Sequence, residues 1–499
     1  MTPRVEKNWL LKFPIWWGLA AYAVLLLWLW PRWNCVHNGD EFGYYENLAL
    51  TARSGHWVSS HWLEPLNRPL VYGGWALFTL TGSFYIATLG LTYLFAVGNY
   101  VLLERLLRSQ FPMGAWRAVA VWGISACPLL LNKTIEYTGY TVSVFTLLAA
   151  LLAWQKRRLG WFCGLVLLGF TSRQSGLFLL ILPLADLWVR RRWEWRPIAA
   201  VATCGLLALW LLQQTTPTLA WQIATTKMAQ TTPWQAACRT LGGVLTIIAG
   251  WTLWDTVLHG GAIERVRRNL RAPWIPGALS LCMVALGWRH GFEIDIGTPA
   301  FQSLAGLAPY SAGMLLWLVD WTRLPALPAW GFLVLYCGAV AVRGKWWEHY
   351  LVDPWLVLIV FTSPRSADAP ATPNWRRVGL GYAALLSFLL YAVVLHHGRM
   401  KVQARVASYE MELRTGARVL PEMAGTSFGL KGWKLFAALR PDPRGNLIDF
   451  LHYVPTRASA GRVRSEYPTG ELWLLPPGYA NRRFPLTDAE WREFIREKS

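Results

Sequence analysis

The sequence predicts an all-α polytopic membrane protein, with about 13 transmembrane helices and a small extracytoplasmic C-terminal α/β domain. Three observations predict it. Of the 499 residues, 54% are hydrophobic and 33 are Trp, and the apolar residues come in long runs rather than as stripes. The net charge of +20 is concentrated in short segments between those runs, as the positive-inside rule expects, with no basic-aromatic nucleic-acid module. Past residue 397 the composition turns charged and mixed over about a hundred residues, enough for a small separate domain.

Runs long enough, or nearly so, to cross a bilayer fall at 13–30, 84–104, 116–131, 138–154, 159–172, 173–189, 197–213, 240–258, 273–289, 302–320, 326–342, 350–363 and 378–396. The first has Arg4, Lys7 and Lys12 before it and an Ala21-Tyr22-Ala23 cleavage-like site within it, but Leu25 to Trp30 prolong it, so it reads as an uncleaved span. The fifth and sixth meet at Thr171-Ser172-Arg173 and also read as one interrupted element. With the N-terminus cytoplasmic, the inside loops carry Arg105, Arg108 and Arg117, then Lys156 to Arg158, then Arg190 to Arg192 with Arg196. Further along they carry Arg265, Arg267, Arg268 and Arg271, then Arg323, and finally Arg365, Arg376 and Arg377. The longer outside loops hold about half as many cations, which fixes the predicted orientation.

Between the first two spans lies an outer loop, residues 31–83, far longer than the turns that follow, and long ordered loops are usually functional. It opens with Asp40 and Glu41, and the next ten residues have the pattern of a short interfacial helix. Asp40, Tyr44, Asn47 and Thr51 share one polar face of that helix, with Phe42, Tyr45 and Leu48 to Leu50 on the other side. A carboxylate pair beside lipid is costly unless it is partnered or used. Such a pair marks either a site or a helix N-terminal cap. Pro69 and Gly73-Gly74 then suggest a re-entrant or tilted approach to the second span.

Residues 1–396 thus form the transmembrane part and 397–499 the C-terminal domain. In the latter, Val402 to Leu413 reads as an amphipathic helix, R-V-L-P-E-M and E-L-W-L-L-P-P-G-Y as strands, and the last residues as a helix capped by Thr487 or Asp488.

The outer loops bring forward Lys133 and Glu136, Arg173, Arg289 to Asp295, and the run Arg343 to Tyr350. A few carboxylates with several cations at an outer membrane surface suit a phosphate-bearing lipid substrate. Cations would bind the phosphate and stabilise it as a leaving group, and a carboxylate would take a proton from the incoming nucleophile. The competing reading of Arg173, Arg343 and Lys345 is a snorkelling cation at a span end. His349 beside Glu348 reads as a polar anchor or a substrate contact.

The seven Cys show no C-x-x-C or metal spacing. No cofactor is expected. A divalent metal on His37, Asp40, His56, His61 and Glu64 is the alternative, although no H-E-x-x-H occurs. Neither a G-x-S-x-G elbow nor a phosphate-binding G-x-x-x-x-G-K-[ST] is present.

The order of features is an early D-E in the first outer loop, then N-R-P-L-V-Y-G-G-W, E-Y-T-G-Y-T-V-S-V-F, G-F-T-S-R-Q-S-G and a late E-H-Y-L-V-D-P-W. Over about residues 10–365 this resembles the GT-C class of integral-membrane glycosyltransferases, the superfamily of protein O-mannosyltransferases and lipid A aminoarabinose transferases. The resemblance implies transfer of a sugar from a polyprenyl-phosphate donor to a glycan, lipid or protein acceptor, with inversion. It also implies an extracytoplasmic site on a bacterial inner membrane, and neither nucleic acid nor nucleotide as a partner.

The resemblance makes Asp40 the general base, Glu41 its companion and Glu136 an assisting acid in the next outer loop. Tyr44, Arg68, Arg173, Arg343, Lys345 and His349 are the candidate substrate contacts. Family members often carry a histidine and paired prolines before the second span, where this chain has Asn67-Arg68-Pro69. The alternatives are a transporter or flippase of lipid-linked sugars, an O-antigen-type polymerase or ligase, and a structural membrane subunit.

Overall fold

The computed structural model describes residues 16–27, 44, 47–48, 51–52, 55–56, 68–82, 84–111, 114–127, 130–131, 137–191, 194–214, 231–290, 294–295, 308–321, 324–342, 346–362, 433–442, 445–453 and 471–475. Helix dominates. The chain forms α1 (Trp16–Leu27), α2 (Arg68–Thr81), α3 (Phe84–Leu106), α4 (Gly114–Ser125), α5 (Gly139–Gln155) and α6 (Leu159–Phe170). After a 3-10 stretch, Gln174–Leu180, come α7 (Ile181–Arg190), α8 (Trp195–Gln213), α9 (Pro233–His259) and α10 (Ala262–Arg271). The last described helices are α11 (Trp274–His290), α12 (Ala308–Leu315), α13 (Leu327–Val342) and α14 (Val352–Phe361), with two short strands, β1 (Ile294–Asp295) and β2 (Trp346–Trp347), in the same part of the chain.

Among the described residues, three stretches are long and apolar enough by length and composition to cross a membrane: Ile86–Leu106, Trp195–Gln213 and Pro233–Leu258. Six shorter apolar helices accompany them. In α8 only 11% of the apolar window is buried, and Trp195, Leu206, Leu209 and Trp210 are exposed. In water such a surface would be a liability; against lipid it is a match. The chain is therefore mostly helical, with apolar helices suited to a bilayer.

Two compact units are present. The first comprises residues 1–24, 96–133 and 142–389. Within it α9 is the central post: α13, α12, α11 and α14 all pack on it, while α7 packs on α13 and α6 on α8. Sequence explains how α9 begins and ends. Thr232 and Gln235 form a capping box, Pro233 occupies the first turn, and Gly260 and Gly261, with φ of 68° and 78°, take the left-handed backbone that redirects the chain into α10. Inside the unit, Trp251 Nε1 donates to Thr362 Oγ1 at 2.8 Å. The Gln110 amide donates to the carbonyls of Ile359 and Val360, both at 2.8 Å, satisfying the C-terminal end of α14.

The second unit comprises residues 25–95, 134–141 and 390–499. Tyr44, Asn47, Leu48, Thr51 and Ala52 are helical, as the i, i+3, i+4 pattern of the first outer loop predicts. The polar face Tyr44, Asn47 and Thr51 is buried rather than open to solvent. Helix α2 has a specific anchor, because the Tyr137 hydroxyl donates to Leu70 O at 3.0 Å while Gly74 leaves the space that this hydroxyl and Leu48 fill. Complete burial pushes the Tyr137 phenol well above its ordinary range, so it remains a donor. Strands β3 (Trp433–Asp442), β4 (Gly445–Tyr453) and β5 (Glu471–Leu475) form an antiparallel sheet in the order β4-β3-β5, with a register shift between Ala438 and Leu439. The strand expected in E-L-W-L-L is β5, whereas R-V-L-P-E-M and both predicted C-terminal helices lie outside the described residues.

One element follows the interruption that the sequence expects, and one departs from expectation. The junction at 171–173 is a true break: α6 stops, Arg173 is extended (φ −159°, ψ 125°), and the chain resumes as a 3-10 helix. The stretch expected as a cationic inside loop, 262–271, is a helix with strong amphipathic character.

Candidate functional site

The break between α6 and the 3-10 helix exists because T-S-R-Q-S puts polar side chains in the middle of an apolar run, where hydroxyls compete for backbone groups. Thr171 Oγ1 turns back to Leu168 O at 2.8 Å and the Arg173 N–H returns to Gly169 O at 2.7 Å. Arg173 is thereby sent inward. It is 7% exposed, so it does not snorkel.

Its guanidinium meets a carboxylate from the other end of the sequence. Arg173 Nη1 lies 3.4 Å from Asp353 Oδ2, and its Cζ lies 5.0 Å from the centre of the Tyr350 ring. Asp353 stands in the first turn of α14, followed by Pro354, which occupies a helix start without loss because no intrahelical donor is needed there. The Tyr336 hydroxyl of α13 donates to the same Oδ2 at 3.5 Å, and the Tyr336 ring is held by Phe332 and Phe178. One side of Asp353 is thus occupied by a cation and a phenol.

The other side opens into a small cleft. Ser143, Thr146, Val166, Gly169, Ser175 and Asp353 are among its walls, and it has room for about one water molecule. Asp353 Oδ1 and Ser175 Oγ are both buried here, with the Ser175 hydroxyl beside the Asp353 carboxylate. A carboxylate oxygen and a hydroxyl facing one small polar cleft form a pair suited to a water or a proton.

Immediately before Tyr350, a two-residue parallel bridge pairs Ile294 with Trp346 and Asp295 with Trp347. The backbone therefore holds Ile294-Asp295 against Trp346-Trp347, each within a stretch that the sequence marks separately as rich in ionisable residues. Of the candidate contacts, Arg173 faces the Tyr350 ring, and His349 precedes Tyr350 in the short 3-10 helix Glu348–Leu351 that leads into α14. Arg343 and Lys345 lie outside the described residues, as do Asp40, Glu41 and Glu136. Arg68 begins α2 and is exposed, and Tyr44 is buried in the second unit. Of the metal alternative only His56 is described.

Sequence reasoning missed Asp353, Tyr336 and Ser175. The signal for Asp353 was present, because it is a lone acid inside the apolar run V-D-P-W-L-V-L-I-V. Nothing in the sequence pointed to Tyr336 as its partner. No protein-family model matches this chain, and no curated protein matches it.

Proposed function

We propose that this chain is a membrane glycosyltransferase that moves a sugar from a polyprenyl-phosphate donor to an acceptor on the extracytoplasmic face. Asp40 is the general base, assisted by Glu41 and Glu136: it takes the proton of the acceptor as the acceptor attacks the anomeric carbon opposite the bond to the polyprenyl phosphate, which leaves with inversion. The full architecture is about 13 spans with the C-terminal domain outside, and no resident cofactor is required. Tyr44, Arg68, Arg173, Arg343, Lys345 and His349 contact donor or acceptor.

One observation carries this reading beyond resemblance: Arg173 is a buried, oriented guanidinium rather than a flexible surface cation. A guanidinium fixed by a carboxylate and a tyrosine face suits a phosphate leaving group, since a preorganised donor costs no reorganisation as charge develops. The test is sugar transfer from a polyprenyl-phosphate pool in membranes with matched protein levels. Asp40→Asn is expected to abolish transfer while the folded protein persists. Equal activity in wild type and Asp40→Asn would move the base to Glu41 or Glu136.

A second reading draws on the same neighbourhood. A buried acid-cation pair beside a broken helix is also what a transporter of lipid-linked sugars uses. Wild-type protein that moves the lipid-linked sugar across the bilayer without transferring it would favour that reading.

A further inference from the structure

Helix α10 buries two polar side chains, Arg265 and Asn269, and exposes apolar residues among its arginines. Its protein-facing side is polar and tied down at every turn. Arg265 pairs with Asp255 at 2.7 Å, with both side chains buried. The Asn269 amide donates to Trp317 O at 2.7 Å and Val319 O at 3.1 Å, and its oxygen accepts from Trp321 Nε1. Arg268 pairs with Asp320 at 2.9 Å.

The outward side carries the apolar residues. Ile263 is 64% exposed and Leu270 58%, and Trp274, at the start of the next helix, is 71% exposed. Ile263, Arg267 and Leu270 fall at i, i+4 and i+7, on one face, with Arg271 beside them. Arg267 and Arg271 are exposed, and the acidic member of the exposed set, Glu264, is a quarter-turn away from Ile263. Two exposed aliphatic residues and a Trp interleaved with arginines describe a helix lying in a membrane interface. Position agrees, because α10 joins α9 and α11, two apolar helices, through the Gly260-Gly261 turn.

We infer that α10 is a binding site for anionic phospholipid in the leaflet at this turn, which is the inner leaflet in the orientation proposed above. Ile263, Leu270 and Trp274 enter the acyl boundary, and Arg267 and Arg271 take the headgroup phosphate. The cationic flank sets the choice of anionic over zwitterionic lipid. The inference needs only that α9 and α11 border a bilayer, not that the chain transfers sugar.

Full-length protein in nanodiscs would be labelled with a photoactivatable phosphatidylglycerol or phosphatidylcholine, digested and mapped. Each arginine near a membrane surface contributes about 1 kcal/mol, or about fivefold. The peptide spanning 262–274 is expected to label at least about fivefold more with the anionic probe. Arg267→Gln with Arg271→Gln brings that ratio close to one, without a change in melting temperature, because both side chains are exposed. Arg267→Lys with Arg271→Lys keeps the preference. Should the double glutamine variant fold poorly, Arg271→Gln alone is expected to lower the ratio severalfold. Equal labelling by the two probes in wild type, an anionic preference that survives both glutamine variants, or competition by soluble glycerol phosphate would each overturn the inference.

Discussion

Two buried acid-arginine pairs in the first unit make different use of the same chemistry. Asp255 and Arg265 lie ten positions apart, meet at 2.7 Å, and are backed by Thr256 Oγ1 and the carbonyl of Leu318. Arg173 and Asp353 lie 180 positions apart, meet at 3.4 Å, and leave one carboxylate oxygen facing a polar cleft. The first pair is a lock that seats α10 after the Gly260-Gly261 turn. The second is looser and adjoins space, as the binding role proposed for Arg173 requires. Burial of a charge is therefore not by itself a sign of function. Distance, backing and what lies on the open side separate the two.

The largest expected effect belongs to the lock. Removing one member of a buried pair strands the other charge, at a cost of about 3–5 kcal/mol. Asp255→Leu or Arg265→Met alone is expected to abolish most folded protein, measured by monodisperse yield and thermal melting in detergent. The double variant, Asp255→Leu with Arg265→Met, should recover much of it, since an apolar replacement removes both desolvation costs. If the single variants fold as well as the wild type, the Asn269 and Arg268 contacts, not this pair, seat α10.

The Arg173 pair should behave differently in the same design. Arg173→Met with Asp353→Leu is expected to fold but to lose sugar transfer by about 100-fold or more, the scale of removing one preorganised donor. Arg173→Lys should fold and still lose much of the activity, because an ammonium is a point charge without the planar fork. Full transfer by the folded double variant would make this pair a lock as well and erase the distinction.

The helices were legible because their apolar runs are long, and the break at Thr171-Ser172-Arg173 was legible because polar residues interrupt a run at its centre. Helix α10 was hidden by its charge. In A-I-E-R-V-R-R-N-L-R the apolar Ile263, Val266 and Leu270 keep helical spacing, but four arginines in ten residues read as a positive loop. The β3–β4 hairpin carried its turn signal in D-P-R-G and was overlooked beside E-L-W-L-L. The site was less legible than the fold. Arg173 could be named from its own surroundings, whereas Asp353 and Tyr336 acquire meaning only when α13 and α14 are packed together, and no local pattern encodes a partner 180 positions away.

The smallest effect tests which side of Asp353 matters. Tyr336→Phe removes a long hydrogen bond of 3.5 Å and leaves the ring packed on Phe178 and Phe332, so the expected stability loss is about 1 kcal/mol or less. If Asp353 acts by holding Arg173 in place, the variant keeps the ion pair, and transfer should fall no more than severalfold, with the change in KM for the lipid donor rather than in kcat. A Ser175→Ala companion removes the hydroxyl on the cleft side and leaves the pair and the phenol in place. A larger loss from Ser175→Ala than from Tyr336→Phe would locate the working face of Asp353 in the cleft. The reverse order would locate it at the guanidinium, because only the phenol shares the oxygen that faces Arg173.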